Sequence, residues 1–178
     1  MKIKVLASGS KGNLSIVKTK NHNILIDAGI TLHASQMRLN PFPNIDIIII
    51  THTHDDHIKG LNSYIKKYHP IIYTMSEELK SICPYDKIIC ENNIRIDDIE
   101  INLFELSHDV TCYGISIKEE DKELIYITDT GYISRKILKN ITNKDIYVIE
   151  SNHDIDMLRE GKYPFYLKQR IILVWFQN

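Results

Sequence analysis

Residues 51–57 read Thr-His-Thr-His-Asp-Asp-His and directly follow a run of four isoleucines. Side chains two apart in an extended chain share one face, so His52 and His54 can bind one metal ion together. Asp56 and His57, in the turn that follows, can point to a second, neighbouring position. Imidazole suits zinc, manganese or iron, and carboxylate suits harder ions. The stretch therefore predicts a metal site at the end of a buried strand, rather than a polar loop in which Asp56 only caps the next helix.

Short apolar runs rich in isoleucine recur on both sides of this stretch, with helical patterns between them. The runs predict strands at Ile3–Ala7, Leu14–Val17, Ile24–Ile26, Ile47–Ile50, Ile71–Tyr73, Ile99–Leu106, Tyr113–Ile117, Leu124–Ile127 and Ile146–Ile149. The helical patterns predict helices at Thr31–Leu39, Ile58–Tyr68, Ser76–Ile82 and Ile133–Lys139. This order favours an α+β architecture in which two packed sheets carry helices on their outer faces. A length of 178 residues, 43% of them hydrophobic, predicts a single domain over residues 1–178.

The overall charge is close to zero, with 22 basic and 23 acidic residues and a net charge of −1. Such a protein has no global positive field, so any binding of nucleic acid must come from a local patch. The sequence shows neither a secretion signal nor an apolar run of the roughly 18 residues that span a membrane. We therefore expect a cytoplasmic protein without a membrane partner. Its cysteines, Cys83, Cys90 and Cys112, form no C-x-x-C pair, and we expect reduced, mostly buried thiols rather than metal ligands.

Further polar residues follow other predicted strands. His108 comes after the run Ile99–Leu106, and Asp129 comes after Leu124–Ile127. Both lie where a strand end exposes side chains, although either residue taken singly is typical of an ordinary polar loop. Asp27 ends a strand, where a buried carboxylate needs a partner or several hydrogen bonds unless it only forms a turn.

Two loop segments complete the set of candidates. Residues 8–13 read Ser-Gly-Ser-Lys-Gly-Asn and connect two predicted strands, which by itself indicates a hairpin loop. Residues 150–154 read Glu-Ser-Asn-His-Asp and follow the predicted strand Ile146–Ile149. This segment places His153 at the same rim as the other candidates, in a substrate role or in the structure of the loop.

The pattern His52-x-His54-x-Asp56-His57 resembles the signature of metallo-β-lactamase-fold hydrolases. Further similar segments cover much of the chain, namely residues 6–13, 25–29, 57–61, 106–109, 127–132 and 150–154. Together they resemble the WalJ/YycJ-type branch, whose members are regarded as DNA exonucleases related to ribonuclease Z. The resemblance implies an αββα fold of two mixed sheets with flanking helices.

The resemblance also implies a site for two divalent metal ions, zinc or manganese, with iron as a further option. The implied ligands are His52, His54 and His108 for the first ion, Asp56 and His57 for the second, and Asp129 for both. Asp27 would hold the histidine-rich loop from behind these ligands. The residues expected to contact phosphate are Ser8, Ser10 and Asn13. The expected catalytic residues are Asp56 and His153, the latter as a general acid or a substrate contact.

The implied reaction is phosphodiester hydrolysis by an exonuclease that acts on DNA, with RNA as a second substrate. Two neighbouring ions can share a hydroxide and neutralise the charge that builds on an attacked phosphate. Since a fold does not choose its substrate, hydrolysis of a thioester, lactone or lactam is an alternative.

The end of the sequence departs from the family pattern. Proteins of this branch continue past a segment like Tyr163-Pro164 to a Gly-His-x-Ser-type loop, whose histidine completes the second metal site. Here the stretch 171–176 is apolar, and no histidine follows His153. We therefore expect a C-terminally incomplete domain that lacks the last strands and helices, through a frameshift or natural truncation, and a weak second metal site. An inactive metal-binding remnant and a homodimer formed through the uncovered sheet are further hypotheses.

Overall fold

The computed structural model describes residues 1–107, 110–130 and 133–150. The strands are β1 (Lys2–Ala7), β2 (Leu14–Lys18), β3 (Asn23–Ile26), β4 (Ile47–Ile49), β5 (Ile71–Tyr73), β6 (Ile88–Ile89), β7 (Asn93–Ile96), β8 (Ile99–Leu106), β9 (Cys112–Glu119), β10 (Lys122–Ile127) and β11 (Ile146–Ile149). The helices are α1 (Leu32–Arg38), α2 (Asp55–Ile58), α3 (Leu61–Tyr68), α4 (Glu77–Ile82) and α5 (Arg135–Ile141).

These strands form two mixed sheets. The first has the order β1-β2-β3-β4-β5-β6, antiparallel from β1 to β3 and parallel from β3 to β6. The second has the order β11-β10-β9-β8-β7 and is antiparallel except for the parallel pair β10 and β11. The carboxyl ends of the parallel strands β3 and β4 therefore meet at one edge of the first sheet.

The sheets face each other across one apolar layer and carry helices outside it. Side chains of β3, β4, β8 and β9 share a buried cluster between the sheets. A second cluster joins the outer face of the first sheet to α3 and α4, and a third joins the second sheet to α5. This is the expected αββα arrangement of two packed mixed sheets with flanking helices.

The isoleucine run of β4 explains why the strand lies in the middle of this structure. Ile47 and Ile49 face the second sheet, whereas Ile48 and Ile50 face the helices. All four side chains are buried, because the strand is covered on both faces. The residues that follow the run are thereby held at a fixed place on the sheet edge.

The helix predicted at Ile58–Tyr68 is wrong in its bounds, because the structure has two helices there. The first, α2, begins three residues earlier at Asp55, with two acidic residues in its first turn. The second, α3, begins after Gly60, whose backbone N–H donates to the carbonyl of Ala28. A Cβ atom at Gly60 would lie 2.1 Å from the carbonyl oxygen of Ile30. The backbone of Ile30 packs so closely against residue 60 that only glycine fits at the break between the two helices.

Two strands were not predicted from the sequence. β6 has only two residues, and β7 reads Asn-Ile-Arg-Ile, in which apolar residues are too few to give a run. Neither has a sequence signal of its own, since both are held by pairing with a longer neighbour. Among the helices in the described ranges, none is long and apolar enough to cross a membrane.

Candidate metal centre

The candidate ligands converge because strands of both sheets end at one place. Asp27 follows β3, the histidine-rich stretch follows β4, and Asp129 follows β10 of the other sheet. Both aspartates have a positive φ, 57° for Asp27 and 52° for Asp129. Aspartate tolerates this left-handed conformation better than most residues. The two sheets thus present carboxylates from opposite sides to the same group of imidazoles.

Three contacts define the spacing of the possible ligand atoms. His52 Nε2 lies 3.1 Å from His54 Nδ1, so alternate residues of the extended stretch do meet on one face. His57 Nε2 lies 3.1 Å from Asp129 Oδ2 and 3.6 Å from Asp56 Oδ2. One ligand atom each of His52, His57 and Asp129 falls within a single group no more than 4.8 Å across. Imidazoles that follow β4 and a carboxylate that follows β10 are therefore close enough to share bound cations.

These spacings can be compared with what a metal ion requires. Tetrahedral ligands about 2.0–2.1 Å from an ion stand about 3.3–3.4 Å from one another. The observed donor separations of 3.1 to 3.6 Å bracket this value. The donor set of imidazole and carboxylate is also the one that zinc, manganese and iron accept. The residues present therefore fit a site for divalent metal ions.

Asp27 supports the cluster from the buried side. Its Oδ2 lies 2.8 Å from His57 Nδ1, and its Oδ1 accepts from both the backbone N–H and the hydroxyl of Thr51 at 2.9 Å. Asp27, Thr51 and His57 are fully buried. A hydrogen bond at Nδ1 leaves Nε2 of His57 to face Asp56 and Asp129, which is how carboxylates behind a metal centre orient histidine ligands.

The electrostatic setting of His57 is strongly anionic. Burial by itself lowers the pKa of this imidazole, but hydrogen bonds and charge interactions with Asp129 and Asp27 outweigh it and raise the pKa to about 10. The metal-free ring therefore carries a proton at neutral pH. A metal ion must displace that proton, so binding at His57 is coupled to proton release.

The glycine-containing loop at residues 8–13 is tied to the same cluster through Asn13. The Asn13 amide Nδ2 lies 3.1 Å from Asp56 Oδ2 and 2.9 Å from His57 Nε2, while its Oδ1 accepts from the backbone N–H of Gly9. The backbone N–H of Asn13 also donates to the carbonyl of Asp56 at 2.7 Å. Gly12 has a φ of +146°, and a Cβ there would lie 2.6 Å from the carbonyl oxygen of Gly29. The loop is therefore held against the helix that carries Asp56.

The structure brings most of the predicted site residues together. The residues in the cluster or in direct contact with it are Asn13, Asp27, His52, His54, Asp56, His57 and Asp129. Ser8 and Ser10 are exposed on the loop that Asn13 anchors. His108 and His153 lie outside the described residues.

Other residues at the site were not predicted from the sequence as functional. Thr51 touches Asp27 and two histidines. Glu150 Oε2 accepts from the backbone N–H of Asp129 at 2.6 Å and so holds the left-handed residue in place. The sequence position of Glu150 could have indicated this contact. Glu150 follows β11 and Asp129 follows β10, and because these strands are parallel neighbours both residues lie at the same edge of the sheet.

The cysteines behave largely as expected. All three are described, none forms a disulfide, and Cys83 and Cys112 are buried while Cys90 is partly exposed. Cys112 is closer to the site than its predicted packing role implied, with Sγ 3.7 Å from His52 Nδ1. Burial raises the pKa of the Cys112 thiol, with nearby Asp27 and Asp129 adding to the shift, so this side chain stays protonated.

Comparison with known proteins agrees with this geometry. Residues 22–163 match the family described as the beta-lactamase superfamily domain. The chain is 35% identical to exodeoxyribonuclease WalJ of Streptococcus pneumoniae, over 96% of this chain and 70% of that protein. It is 37% identical to exodeoxyribonuclease YycJ of Bacillus anthracis, over 94% of this chain and 69% of that protein.

A solved structure shows the same fold at much lower identity. The short form of human tRNase Z superposes with a TM-score of 0.70 at 15% identity, covering 91% of this chain and 82% of that one. From the family match, the two bacterial relatives and the shared fold, we conclude that the chain belongs to the beta-lactamase superfamily and is a metallo-β-lactamase-fold hydrolase, homologous to the WalJ and YycJ exonucleases.

Proposed function

We propose that this chain is a phosphodiesterase that acts as an exonuclease on DNA with the help of two divalent metal ions. The observation that carries the proposal is the meeting of His52, His57 and Asp129 ligand atoms within 4.8 Å at the seam between the two sheets. The identity of 35–37% to two exodeoxyribonucleases supports DNA as the substrate.

The described residues suggest how two ions would be held. His52 Nε2 and His54 Nδ1 would serve the first position, together with His108 by family resemblance. His57 Nε2 and Asp56 Oδ2 would serve the second, with Asp129 between the two. Zinc and manganese both suit this donor set, and iron is a further option. Bound divalent ions lower the pKa of water and neutralise charge on an attacked phosphate.

We expect the two positions to differ in affinity. The Asn13 amide donates to Asp56 Oδ2 and lies 2.9 Å from His57 Nε2, so an ion that binds these two atoms must displace it. At the first position, His52 Nε2 and His54 Nδ1 form a hydrogen bond only when one of these two nitrogens carries a proton. The position at Asp56 and His57 is therefore the weaker one.

The chain's own residues supply orientation and substrate contacts. Asp27 and Thr51 fix the direction in which the buried histidines point. The exposed hydroxyls of Ser8 and Ser10, on the loop held by Asn13, are our candidates for contact with a phosphate group of the DNA. Asp56 and His153 remain the candidate catalytic residues, and a general acid at His153 would donate a proton to the leaving oxygen.

The test is cleavage by the purified chain in the presence of manganese or zinc. End-labelled duplex DNA, single-stranded DNA, RNA, a thioester and a chromogenic lactam are offered in parallel, and products are followed over time. We expect mononucleotides released from DNA. His54→Ala should abolish the activity, whereas His33→Ala, which removes an exposed histidine outside the cluster, should not.

Each other outcome would replace the proposal. Preferential cleavage of RNA would assign a ribonuclease, and turnover of the thioester or lactam would assign a small-molecule hydrolase. Metal binding without cleavage of any substrate would indicate the inactive metal-binding module. DNA cleavage by the purified His54→Ala variant at the unmodified rate would show that the cluster is not needed and would contradict the proposal.

A further inference from the structure

We propose that the hydroxyl of Thr51 is a positioning group that connects Asp27 to the histidines of both metal positions. One buried carboxylate would then orient His57 directly and His52 through the hydroxyl. The inference rests on the metal centre of the proposed function. Thr51 lies outside the ligand set, and its role can be tested without DNA.

The contacts of Thr51 carry the inference. Its Oγ1 lies 2.9 Å from Asp27 Oδ1, 3.0 Å from His52 Nδ1 and 3.3 Å from His57 Nδ1. All four of these residues have no exposed surface. Bulk water therefore does not contact these groups, and the hydroxyl is the group that joins the carboxylate to the ring of His52.

The positions of the protons follow from what each group can donate. A hydroxyl has one proton and two lone pairs, and an ionised carboxylate only accepts. The Thr51 hydroxyl therefore donates to Asp27 Oδ1, and one of its lone pairs accepts the Nδ1–H of His52. The Nδ1–H of His57 donates directly to Asp27 Oδ2, at 2.8 Å.

This arrangement sets which nitrogen of each ring can bind metal. With Nδ1 of His52 and Nδ1 of His57 both donating, the lone pair of each ring is on Nε2. His52 Nε2 faces His54, and His57 Nε2 faces Asp129. The Asp27 carboxylate thus orients the histidines of both metal positions, His57 directly and His52 through the Thr51 hydroxyl.

The backbone of Thr51 is held from both sheets. Its N–H donates to Asp27 Oδ1, at the end of β3, and its carbonyl accepts from the N–H of Tyr113 in β9 at 3.2 Å. Since Thr51 directly follows the buried isoleucine run, its position cannot shift without moving the core strand. A hydroxyl fixed in this way is suited to orient a ligand.

Within the described ranges, Cys112 is a second neighbour of His52 Nδ1 that could play this part. Cys112 Sγ lies 3.7 Å away, farther than Thr51 Oγ1, and a thiol is a weak acceptor. The two side chains approach the same ring nitrogen, which makes Cys112 a matched control for Thr51.

The experiment compares zinc affinity in Thr51→Val, Thr51→Ser and Cys112→Ala, measured by competition with a chromophoric chelator. Valine keeps the shape and removes the hydroxyl, so we expect zinc binding to weaken by about 10–100-fold, the usual effect of losing a partner behind a metal ligand. Serine restores the hydroxyl and should bring the affinity back near that of the unmodified protein. Cys112→Ala should bind zinc about as well as the unmodified protein.

A second measurement does not depend on the fold of a variant. In the zinc-loaded unmodified protein, ¹⁵N chemical shifts of the imidazole rings should assign His52 and His57 as protonated at Nδ1. An Nε2–H tautomer for His52 would overturn the inference. So would equal zinc affinity in folded Thr51→Val, or a loss in Cys112→Ala as large as in Thr51→Val.

Failure of the inference and failure of the proposed function give different results. If the unmodified protein binds zinc with His52 protonated at Nδ1 but cleaves no DNA, the nuclease proposal fails and the role of Thr51 stands. If DNA is cleaved while Thr51→Val binds zinc normally, the nuclease proposal stands and the role of Thr51 is refuted.

Discussion

Asp27 and Asp129 have the same local structure and opposite surroundings. Each follows the end of a strand, and each has a positive φ. Asp27 is fully buried and reaches Nδ1 of His57, whereas the side chain of Asp129 is 22% exposed and lies at Nε2 of the same ring. The carboxylate bound to backbone and hydroxyl groups is suited to position the imidazole, and the one that reaches solvent is suited to bind a cation. We expect burial, rather than residue type, to separate the two roles.

The largest expected difference between the two aspartates is in stability. Asp27→Ala leaves His57 and Thr51 without their buried partner, and removing one side of a buried ion pair costs about 3–5 kcal/mol. Asp129→Ala removes a partly exposed group and should lower the free energy of unfolding by much less. Urea unfolding of the metal-free proteins measures both values. Equal losses would mean that burial does not separate the roles of the two carboxylates.

For metal binding, measured per folded molecule, we expect the larger loss on changing Asp129 and the smaller loss on changing Asp27. Asp129→Asn keeps the shape but removes the charge of a proposed ligand, so the second metal ion should be lost and DNA cleavage reduced by more than about 100-fold, beyond the usual effect of a residue behind the ligands. Metal content after gel filtration and initial rates with labelled DNA provide the measurement. A variant that keeps two ions and normal rates would remove Asp129 from the ligand set.

The ring between the two carboxylates predicts a pH dependence of the metal-free protein. The pKa of His57 is raised from 6.5 to about 10 in the folded state. Its contribution to stability is therefore fully present below pH 6.5 and is lost as the pH rises towards 10. Unfolding of the metal-stripped protein across this range should show the decline, and His57→Asn should lack that part of it. A decline of equal size in His57→Asn would assign it to other groups.

The smallest effect is expected at Asn13, a buried side chain that anchors the exposed part of the loop of residues 8–13. Asn13→Ala removes the side chain whose Oδ1 accepts from the backbone N–H of Gly9, a contact that a bound ion leaves in place, so the loop of residues 8–13 should position DNA less well. We expect KM for DNA to rise more than kcat falls, since an interaction shared by the ground and transition states is lost. Steady-state kinetics on single-stranded and duplex DNA separate the two constants. His33→Ala, which changes an exposed residue outside this loop and outside the cluster, is the control.

The fold was largely predictable from the sequence because its strands are marked by isoleucine. The isoleucine run before Thr51 predicted a buried strand, and the structure confirms it. The break at Gly60 was not predictable, because it depends on the carbonyl of Ile30, a residue distant in the sequence. β6 and β7 were missed for a similar reason, since their pairing partners hold them in place.

The candidate site was predictable in its residue types and not in its hydrogen bonds. The spacing of His52 and His54 suggested a shared ion, and the structure places their ring nitrogens 3.1 Å apart. Thr51 could not be selected, because a threonine before a histidine carries no chemical signal until Asp27 is known to lie beneath it. The roles of the site residues stay predictions until metal binding and cleavage are measured.

Because the cluster lies between the two sheets, a bound metal ion should raise the thermal stability of the protein. His57 lies in α2, which follows β4 of the first sheet, and Asp129 follows β10 of the second, so an ion bound to both would link the two sheets. A ligand that binds only the native state at 1,000 times its dissociation constant adds about 4 kcal/mol to stability. The melting temperature would then rise with manganese or zinc and fall with a chelator, so that a simple thermal scan reports occupancy before any substrate is known.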